Sequence, residues 1–237
     1  MAKRPTADAQ VTRTAGSAAG TAGSAAGTAG AAPPPRVRRP VGRPPDSDSA
    51  DTRQRLLTTA ISCFAARGLA RTTLREISDA AGLTSGTLYF HFATKEALYI
   101  AAYEMAVDQM YVELEVAIEG LEGLIERLEA VLDRAGELMI ERPEIQGMVL
   151  RAWVEHIDLE SLPLPIPPRV TEFIDRLVND AIRRREIQRR HADDLRDLYR
   201  TMMWGISAVA PVRSDDIASA IAGLKLLLRD ELLPHPR

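Results

Sequence analysis

Cysteine, aromatic residues and long apolar runs are all scarce in this sequence of 237 residues. The single cysteine, Cys63, excludes an intrachain disulfide and is typical of proteins kept in a reducing cytoplasm. No apolar run approaches the roughly 20 residues needed to cross a membrane, and the N-terminus lacks the apolar stretch of a signal peptide. Aromatic residues make up only 5% of the chain, which favours a helical core over a β-sandwich. We therefore expect a cytoplasmic protein without membrane contacts.

Patterns typical of enzymes and metal sites are also missing. The sequence contains no phosphate-binding loop, dinucleotide fingerprint or nucleophile elbow. Two clusters of histidine and acidic residues, at 155–158 and 191–194, lack a pair of histidines at helical spacing and a second cluster to complete a coordination shell. Solvated helix faces explain both clusters better. We expect no catalytic residues, no metal site and no cofactor.

The charge that is present is unevenly distributed around a net value of −3. Residues 1–50 carry seven Lys and Arg against three Asp, and residues 51–104 carry six basic against five acidic side chains. Residues 105–237 carry 17 basic against 25 acidic side chains. A chain of this kind can present only its front part to a polyanion such as DNA.

Residues 1–50 have the composition of a disordered tail. The sequence TAGSAAG occurs twice from Thr14 and offers no side chain large enough to bury. PPPRVRRPVGRPP follows at 33–45 and favours an extended arm because of its prolines. Its arginines, Arg36, Arg38, Arg39 and Arg43, are candidate DNA contacts, and GRP at 42–44 weakly resembles the core of an AT-hook. A tail that only increases solubility is the alternative interpretation.

The pattern of residues 51–104 predicts a helix-turn-helix domain. Apolar residues at helical spacing predict a first helix from near Asp51 to Gly68, and TLRE at 73–76 has the spacing of a capping box that starts a second. Gly82 suits a tight turn, 84–92 forms a third helix, and Thr94 caps a fourth from Lys95 to about Glu119. Two short helices joined by a glycine turn and braced by longer ones are typical of this motif.

The third helix, TSGTLYFHF, has one face suited to the core and one without charge. Leu88 and Phe92 lie on the first face and are expected to pack with Leu57 and Ile77. Gly86, Thr87, Tyr89 and Phe90 form the opposite face, where a solvated helix normally carries Lys or Glu. In a major groove, glycine permits close approach, threonine donates hydrogen bonds, and the rings pack on thymine methyl groups. The alternative is an aromatic patch that the same protein buries.

TTLREISDAAGLTSGTLYFHFATKEAL, residues 72–98, resembles the DNA-binding signature of the TetR family of bacterial transcriptional regulators, and the match extends over about 52–103. The resemblance implies an all-α homodimer, usually a repressor that leaves its operator when a small molecule binds the C-terminal domain. It also implies DNA contacts at matching positions: Thr73 and Arg75 on the second helix, Ser85, Gly86, Thr87, Tyr89 and His91 on the recognition helix, and Lys95 at the start of the fourth.

Physical arguments agree with most of these assignments. Arg75 can offer two donors to guanine, a contact worth roughly 1–3 kcal/mol of discrimination. Pairing with Asp79, four residues on, is its alternative role. Lys95 lies unfavourably at a helix N-terminus unless a phosphate is near. His91 lies at the margin of the packed side, and a structural histidine is the alternative there.

The pattern of the remaining residues, 105–237, predicts a helical domain for effector binding and dimerisation. Large, adaptable or weakly polar residues on its middle helices are candidate ligand contacts: Met110, Met139, Met148, Trp153, His156 and Phe173. The stripes of the last two helices are the candidate dimer interface: Leu195, Leu198, Tyr199, Met202, Ile206, Val209, Ile217, Ile221, Leu224 and Leu228. Periodicity alone fits an ordinary core equally well for both sets.

The sequence therefore predicts an all-α protein with an N-terminal three-helix DNA-binding domain and a C-terminal helical domain. The expected function is a homodimeric repressor that binds a palindromic operator in double-stranded DNA and is released by an unidentified small-molecule effector. It would lie in the bacterial cytoplasm and on the nucleoid when bound. The alternatives are an activator of the same fold and an architectural protein that coats DNA. The second would show a steep, sequence-independent salt dependence.

Overall fold

The computed structural model describes residues 45–158, 164–209 and 214–232. These residues form nine α-helices and one 3-10 turn at Arg189–His191, and no strand occurs among them. The helices are α1 (Pro45–Arg67), α2 (Leu74–Ala80), α3 (Ser85–His91), α4 (Lys95–Ala117), α5 (Leu124–Glu141), α6 (Pro143–Asp158), α7 (Pro168–Arg183), α8 (Ala192–Val209) and α9 (Ser214–Leu228). Within the described ranges, every helix is too short or too polar to cross a membrane.

The start of α1 differs from the sequence-based expectation. The helix begins at Pro45, six residues before the predicted start at Asp51, so the end of the predicted tail is helical. Proline is favoured at the first position of a helix because its fixed φ suits the helix and its missing N–H has no partner there in any case. The predicted end is confirmed, since Gly68 adopts a φ of +77° directly after Arg67. The rest of the predicted tail, 1–44, lies outside the described residues.

Local capping fixes the starts of the next three helices, and the caps at Thr73 and Thr94 are those predicted. Thr73 and Glu76 form a complete capping box at the start of α2: Glu76 N donates to Thr73 Oγ1 (3.2 Å) and Thr73 N donates to Glu76 Oε2 (2.8 Å). Thr84 and Thr94 accept from the backbone N–H of the residue three positions on, at 3.1 and 3.0 Å. Gly82 takes a φ of +63° in the turn between α2 and α3.

The predicted core of the helix-turn-helix is confirmed. Leu57, Ile77, Leu88 and Phe92 are all buried in one apolar cluster. The same cluster continues through α4 into the back half of the chain, and α4 carries buried side chains on both sides of the predicted boundary at 104/105. The two predicted domains therefore share one long helix and a continuous core.

The stripe predicted as a dimer interface lies largely inside the chain. Met202 and Ile206 of α8 and Ile217 and Ile221 of α9 are buried in a cluster with Leu132 and Met139 of α5, and Leu195 and Tyr199 are buried in the main core. Leu224 and Leu228 pack partly on the same cluster, Leu198 is exposed, and the Val209 side chain lies outside the described residues. The apolar stripes at helical spacing are packing faces, but they pack within the same chain: α9 packs against α5, and α8 packs against α7 and α9.

Candidate functional site

The helix-turn-helix is held together by short-range hydrogen bonds between α2, α3 and their turn. Leu83 N donates to Ser78 O at 2.9 Å, and the hydroxyls of Ser78 and Ser85 lie 3.3 Å apart, which links the two helices directly. Ser78 is fully buried and also donates to Arg75 O at 2.9 Å. The relative placement of the two short helices is therefore fixed before any partner binds.

The outward face of α3 carries two aromatic rings in contact with solvent. Tyr89 is 56% exposed and Phe90 is 80% exposed, so the described part of the chain does not bury this patch. Gly86 lies on the same face, and a Cβ added there would meet no atom closer than Thr84 Oγ1 at 3.7 Å. The Thr87 hydroxyl shares a hydrogen bond of 2.9 Å with Thr84. No described part of the chain covers these exposed rings beside the glycine.

The two DNA contacts predicted at α2, Arg75 and Thr73, differ in how far their side chains are already engaged within the chain. The Arg75 side chain is 86% exposed and reaches Asp79 only at 3.8 Å, so it remains available to a partner. The Thr73 hydroxyl donates to Glu76 Oε2 at 2.9 Å. The Thr73 backbone N–H holds the pKa of the Glu76 carboxyl below its usual value, with Thr73 Oγ1 and Arg67 adding to the effect. Thr73 therefore positions α2, and any phosphate contact it makes would add to that role.

Two other predicted contacts are engaged within the chain. Lys95 Nζ donates to the carbonyl oxygens of Leu69 (2.8 Å) and Thr72 (3.2 Å), so the ammonium stabilises the loop between α1 and α2. His91 is half-buried, with its ring edge-to-face on Phe90 at 5.2 Å between centroids. For both residues a DNA contact stays a prediction. Arg36, Arg38, Arg39 and Arg43, the predicted arm, lie outside the described residues.

A carboxylate on α6 contacts the DNA-binding part of the chain, and the sequence interpretation missed it. The Leu69 backbone N–H donates to both oxygens of Glu155 at 3.1 Å, and the Tyr99 hydroxyl donates to Glu155 Oε2 at 2.6 Å. Reading Glu155 as part of a solvated face was therefore wrong. Since Lys95 holds the carbonyl of the same Leu69, α4 and α6 together fix the loop that leads into α2.

α6 also lines a cavity in the back half of the chain, between α4, α7 and α8. Of the predicted ligand contacts, Met110 and Trp153 line it. Phe173 lines a second, more polar hollow beside Arg127 and Asp180. Met148 and Met139 are buried in packed clusters, and the His156 ring lies edge-to-face against Trp153, 6.2 Å from it.

Several residues around the first cavity were not predicted as ligand contacts. They are Tyr103, Tyr111, Tyr199, Arg200, Met203 and Trp204. Tyr199 was instead predicted to lie in the dimer interface, because helical spacing shows that a residue faces inward but not whether it lines a cavity. The presence of both tryptophans and three of the five tyrosines of the chain around one cavity is a signal that only the folded chain provides.

Comparison with known proteins places the front of the chain among bacterial regulators. Residues 56–102 match the family model described as bacterial regulatory proteins, tetR family. The chain is 31% identical over 114 residues to the HTH-type transcriptional repressor KstR2 of Mycobacterium tuberculosis H37Rv, covering 45% of this chain and 57% of that one. It is 45% identical over 53 residues to the probable acrEF/envCD operon repressor of Escherichia coli K12, covering 22% and 24%. The chain thus spans about half the length of the KstR2 repressor and about a quarter of the length of the acrEF/envCD operon repressor.

The similarity to solved structures extends further along the chain. A TetR transcriptional regulator from Chloroflexus aurantiacus superposes with a TM-score of 0.65 at 26% identity, covering 78% of this chain and 98% of that one. The alignment therefore includes the helical back half as well as the helix-turn-helix.

Proposed function

This chain belongs to the TetR family of bacterial regulatory proteins, and from that premise we propose that it is a homodimeric, sequence-specific repressor of transcription that a small molecule releases from DNA. The regulators of this family are DNA-binding transcription factors and not enzymes, which agrees with the expectation from the sequence. A cytoplasmic location belongs to the same proposal.

The observation that carries the proposal is the exposed face of α3. Exposing Phe90 and Tyr89 to water is unfavourable in the free protein, and two uncharged rings beside an open glycine match a groove better than solvent. Arg75 extends from the neighbouring helix with its guanidinium group free to contact a base or a phosphate. Near-neutral charge over 51–104 favours contacts with bases over purely electrostatic coating.

A second copy of this chain is the proposed partner of α8 and α9. Leu198 and Gly205 lie on the exposed side of α8, seven residues apart. Apart from its two chain neighbours and the backbone of α8 itself, no described atom lies within 4 Å of a Cβ added to Gly205. On α9, Leu226 and Leu227 are exposed as well. Small and apolar residues on two adjacent helix faces suit close packing against the same faces of a partner. Such a dimer would place two recognition helices roughly 34–36 Å apart, one turn of B-DNA.

The DNA-binding part of the proposal is tested by selecting bound sequences from a random duplex library and measuring affinity by fluorescence anisotropy. We expect a palindromic or near-palindromic site, and a loss of affinity of at least about tenfold in Tyr89→Ala and in Arg75→Ala, as expected for removed base contacts. Ile140→Ala is the matched control, since this α5 side chain is 70% exposed outside the motif. Normal binding by both folded variants, or a steep salt dependence without sequence preference, would contradict the proposal.

The dimer is tested by sedimentation velocity with Gly205→Glu. A buried charge at the centre of the proposed interface should convert the protein to monomers and weaken operator binding together. Val116→Glu is the control because Val116 is 62% exposed on α4, away from α8 and α9. A dimer that withstands Gly205→Glu would place the interface elsewhere.

A further inference from the structure

The cavity between α4, α6, α7 and α8 has mostly apolar walls. Trp153 of α6 and Trp204 of α8 meet edge-to-face, with ring centroids 4.4 Å apart, and Met110 and Met203 lie on the same walls. Its volume is about 110 Å³, enough for part of a small organic molecule, with the remainder extending towards the exposed side chain of Ile166. Methionine side chains and edge-packed rings adapt readily to different ligand shapes. The apolar part of the cavity therefore selects ligands only by their hydrophobicity.

One buried polar group in the cavity wall is poorly satisfied. The Tyr199 hydroxyl is buried and makes no hydrogen bond of ordinary geometry with a described residue, although the Tyr111 hydroxyl lies close enough to influence it. Ser207, also in the wall, is different because its hydroxyl donates to Met203 O at 2.8 Å and accepts from Gln146 Nε2. Burial raises the pKa of Tyr111 to about 12 and that of Tyr199 well above its usual value, so both phenols keep their protons at neutral pH. The Tyr199 hydroxyl can therefore donate its proton to an oxygen atom of a ligand in the cavity.

The charge in the cavity wall is positive. Arg200 is the one charged side chain among the described residues that line it. Its Nη1 donates to Asp197 Oδ1 at 3.0 Å one turn earlier on α8, and the Arg200 side chain is 46% exposed. A guanidinium has five N–H donors in a fixed fork that suits a carboxylate, so the Asp197 pair leaves donors for a second anion. Asp197 does not line the cavity, so a ligand inside it meets the guanidinium group and no carboxylate of the described residues.

We propose that the cavity binds an organic carboxylate with an apolar body, whose oxygen atoms accept hydrogen bonds from Arg200 and from the Tyr199 hydroxyl. The two residues are consecutive on α8 and both line the cavity. The apolar body lies against Trp153, Trp204 and the methionines. This proposal names the chemical class of the effector and rests on the proposed function for its biological meaning, although binding can be measured without DNA.

The two tryptophans of the chain provide the assay, because both line this cavity. The full-length protein is titrated with decanoate and with 4-phenylbutanoate, each below its aggregation threshold, and tryptophan emission is recorded. The alcohol and the amine of the same carbon skeleton are titrated in parallel. We expect at least one acid to give a saturable change at a concentration tenfold or more below that of its alcohol, and the amines to bind more weakly still.

Variants separate the anion site from general hydrophobic binding. Arg200→Gln should weaken binding of the acid about tenfold and leave the alcohol unchanged, and Tyr199→Phe should also weaken the acid. Arg183→Gln is the matched control, since Arg183 is an exposed arginine paired with an aspartate three residues earlier, as Arg200 is. Equal binding of acid and alcohol, no saturable change with either acid, or an unchanged acid affinity in Arg200→Gln would overturn the proposal.

The same samples separate this inference from the proposed function. If an acid binds as expected and also lowers the occupancy of the selected operator, both stand. If an acid binds with the expected dependence on Arg200 but leaves operator occupancy unchanged, the cavity assignment stands and ligand release is wrong. If no acid binds while the protein still recognises its operator, the cavity assignment is wrong and the DNA-binding function is unaffected.

Discussion

Replacing Gly86 by alanine should change stability and DNA affinity in opposite directions. In the free chain an added Cβ meets no atom closer than 3.7 Å, and Gly86 lies inside α3 without a positive φ. Alanine in place of glycine within a helix stabilises by roughly 0.5–1 kcal/mol, and the short α3 makes the lower value appropriate. For a protein of this size that corresponds to a rise of about 1–2 °C in the melting temperature.

On DNA the same methyl group should be unfavourable. If the backbone at Gly86 approaches the groove closely, an extra methyl in that contact costs about 1–3 kcal/mol per recognition helix, as overpacking does in a protein core. One such contact raises the Kd by roughly 5- to 150-fold, and a dimer contributes two. Thermal melting and anisotropy titrations against the selected operator measure the two effects. A variant that melts higher and binds DNA as tightly as the wild type would refute the groove-facing assignment of α3.

Two further predictions concern the loop and cap that position the motif. Gly68→Ala and Gly120→Ala both place alanine at a positive φ (+77° and +78°), which costs roughly 1–2 kcal/mol each, but only at Gly68 would the Cβ collide with Glu155 Oε1. Chemical denaturation should show Gly68→Ala to be the more destabilised, and equal losses would contradict the role of Glu155. The lowered pKa of Glu76 means that its stabilising effect is present above about pH 4.5 and is lost as pH falls through the folded-state pKa. The stability difference between wild type and Glu76→Gln should therefore shrink on acidification below pH 4.5, and a constant difference across that range would contradict the capping-box assignment.

The DNA-binding motif was the part most accessible from sequence because its determinants are local. The capping box at Thr73, the cap at Thr94 and the turn at Gly82 each depend on residues within four positions along the chain. The exposed rings on α3 followed from helical spacing alone, since Leu88 and Phe92 take the buried side. Local hydrogen bonds and periodicity were sufficient to locate this surface, although its contacts with DNA stay a prediction.

Contacts between distant residues were not accessible in the same way. Glu155 meets a peptide group 86 residues earlier and a hydroxyl 56 residues earlier, and nothing in the local sequence of α6 indicates either partner. Tyr199 and Arg200 were visible as helix residues, but their place in a cavity wall depends on how α4, α6 and α8 pack.

The sequence by itself determined the caps that start α2 and α4, the glycine that ends α1 and the apolar face of α3, because capping, glycine conformation and side-chain spacing act over a few residues. Only the tertiary structure decided what each apolar face packs against: α9 packs on α5, α8 packs on α7 and α9 of the same chain, and other faces of these helices remain exposed. The physical reason is that hydrophobic burial is non-directional. The hydrophobic effect requires that an apolar face be covered, whereas the shape of the assembled helices determines which element covers it.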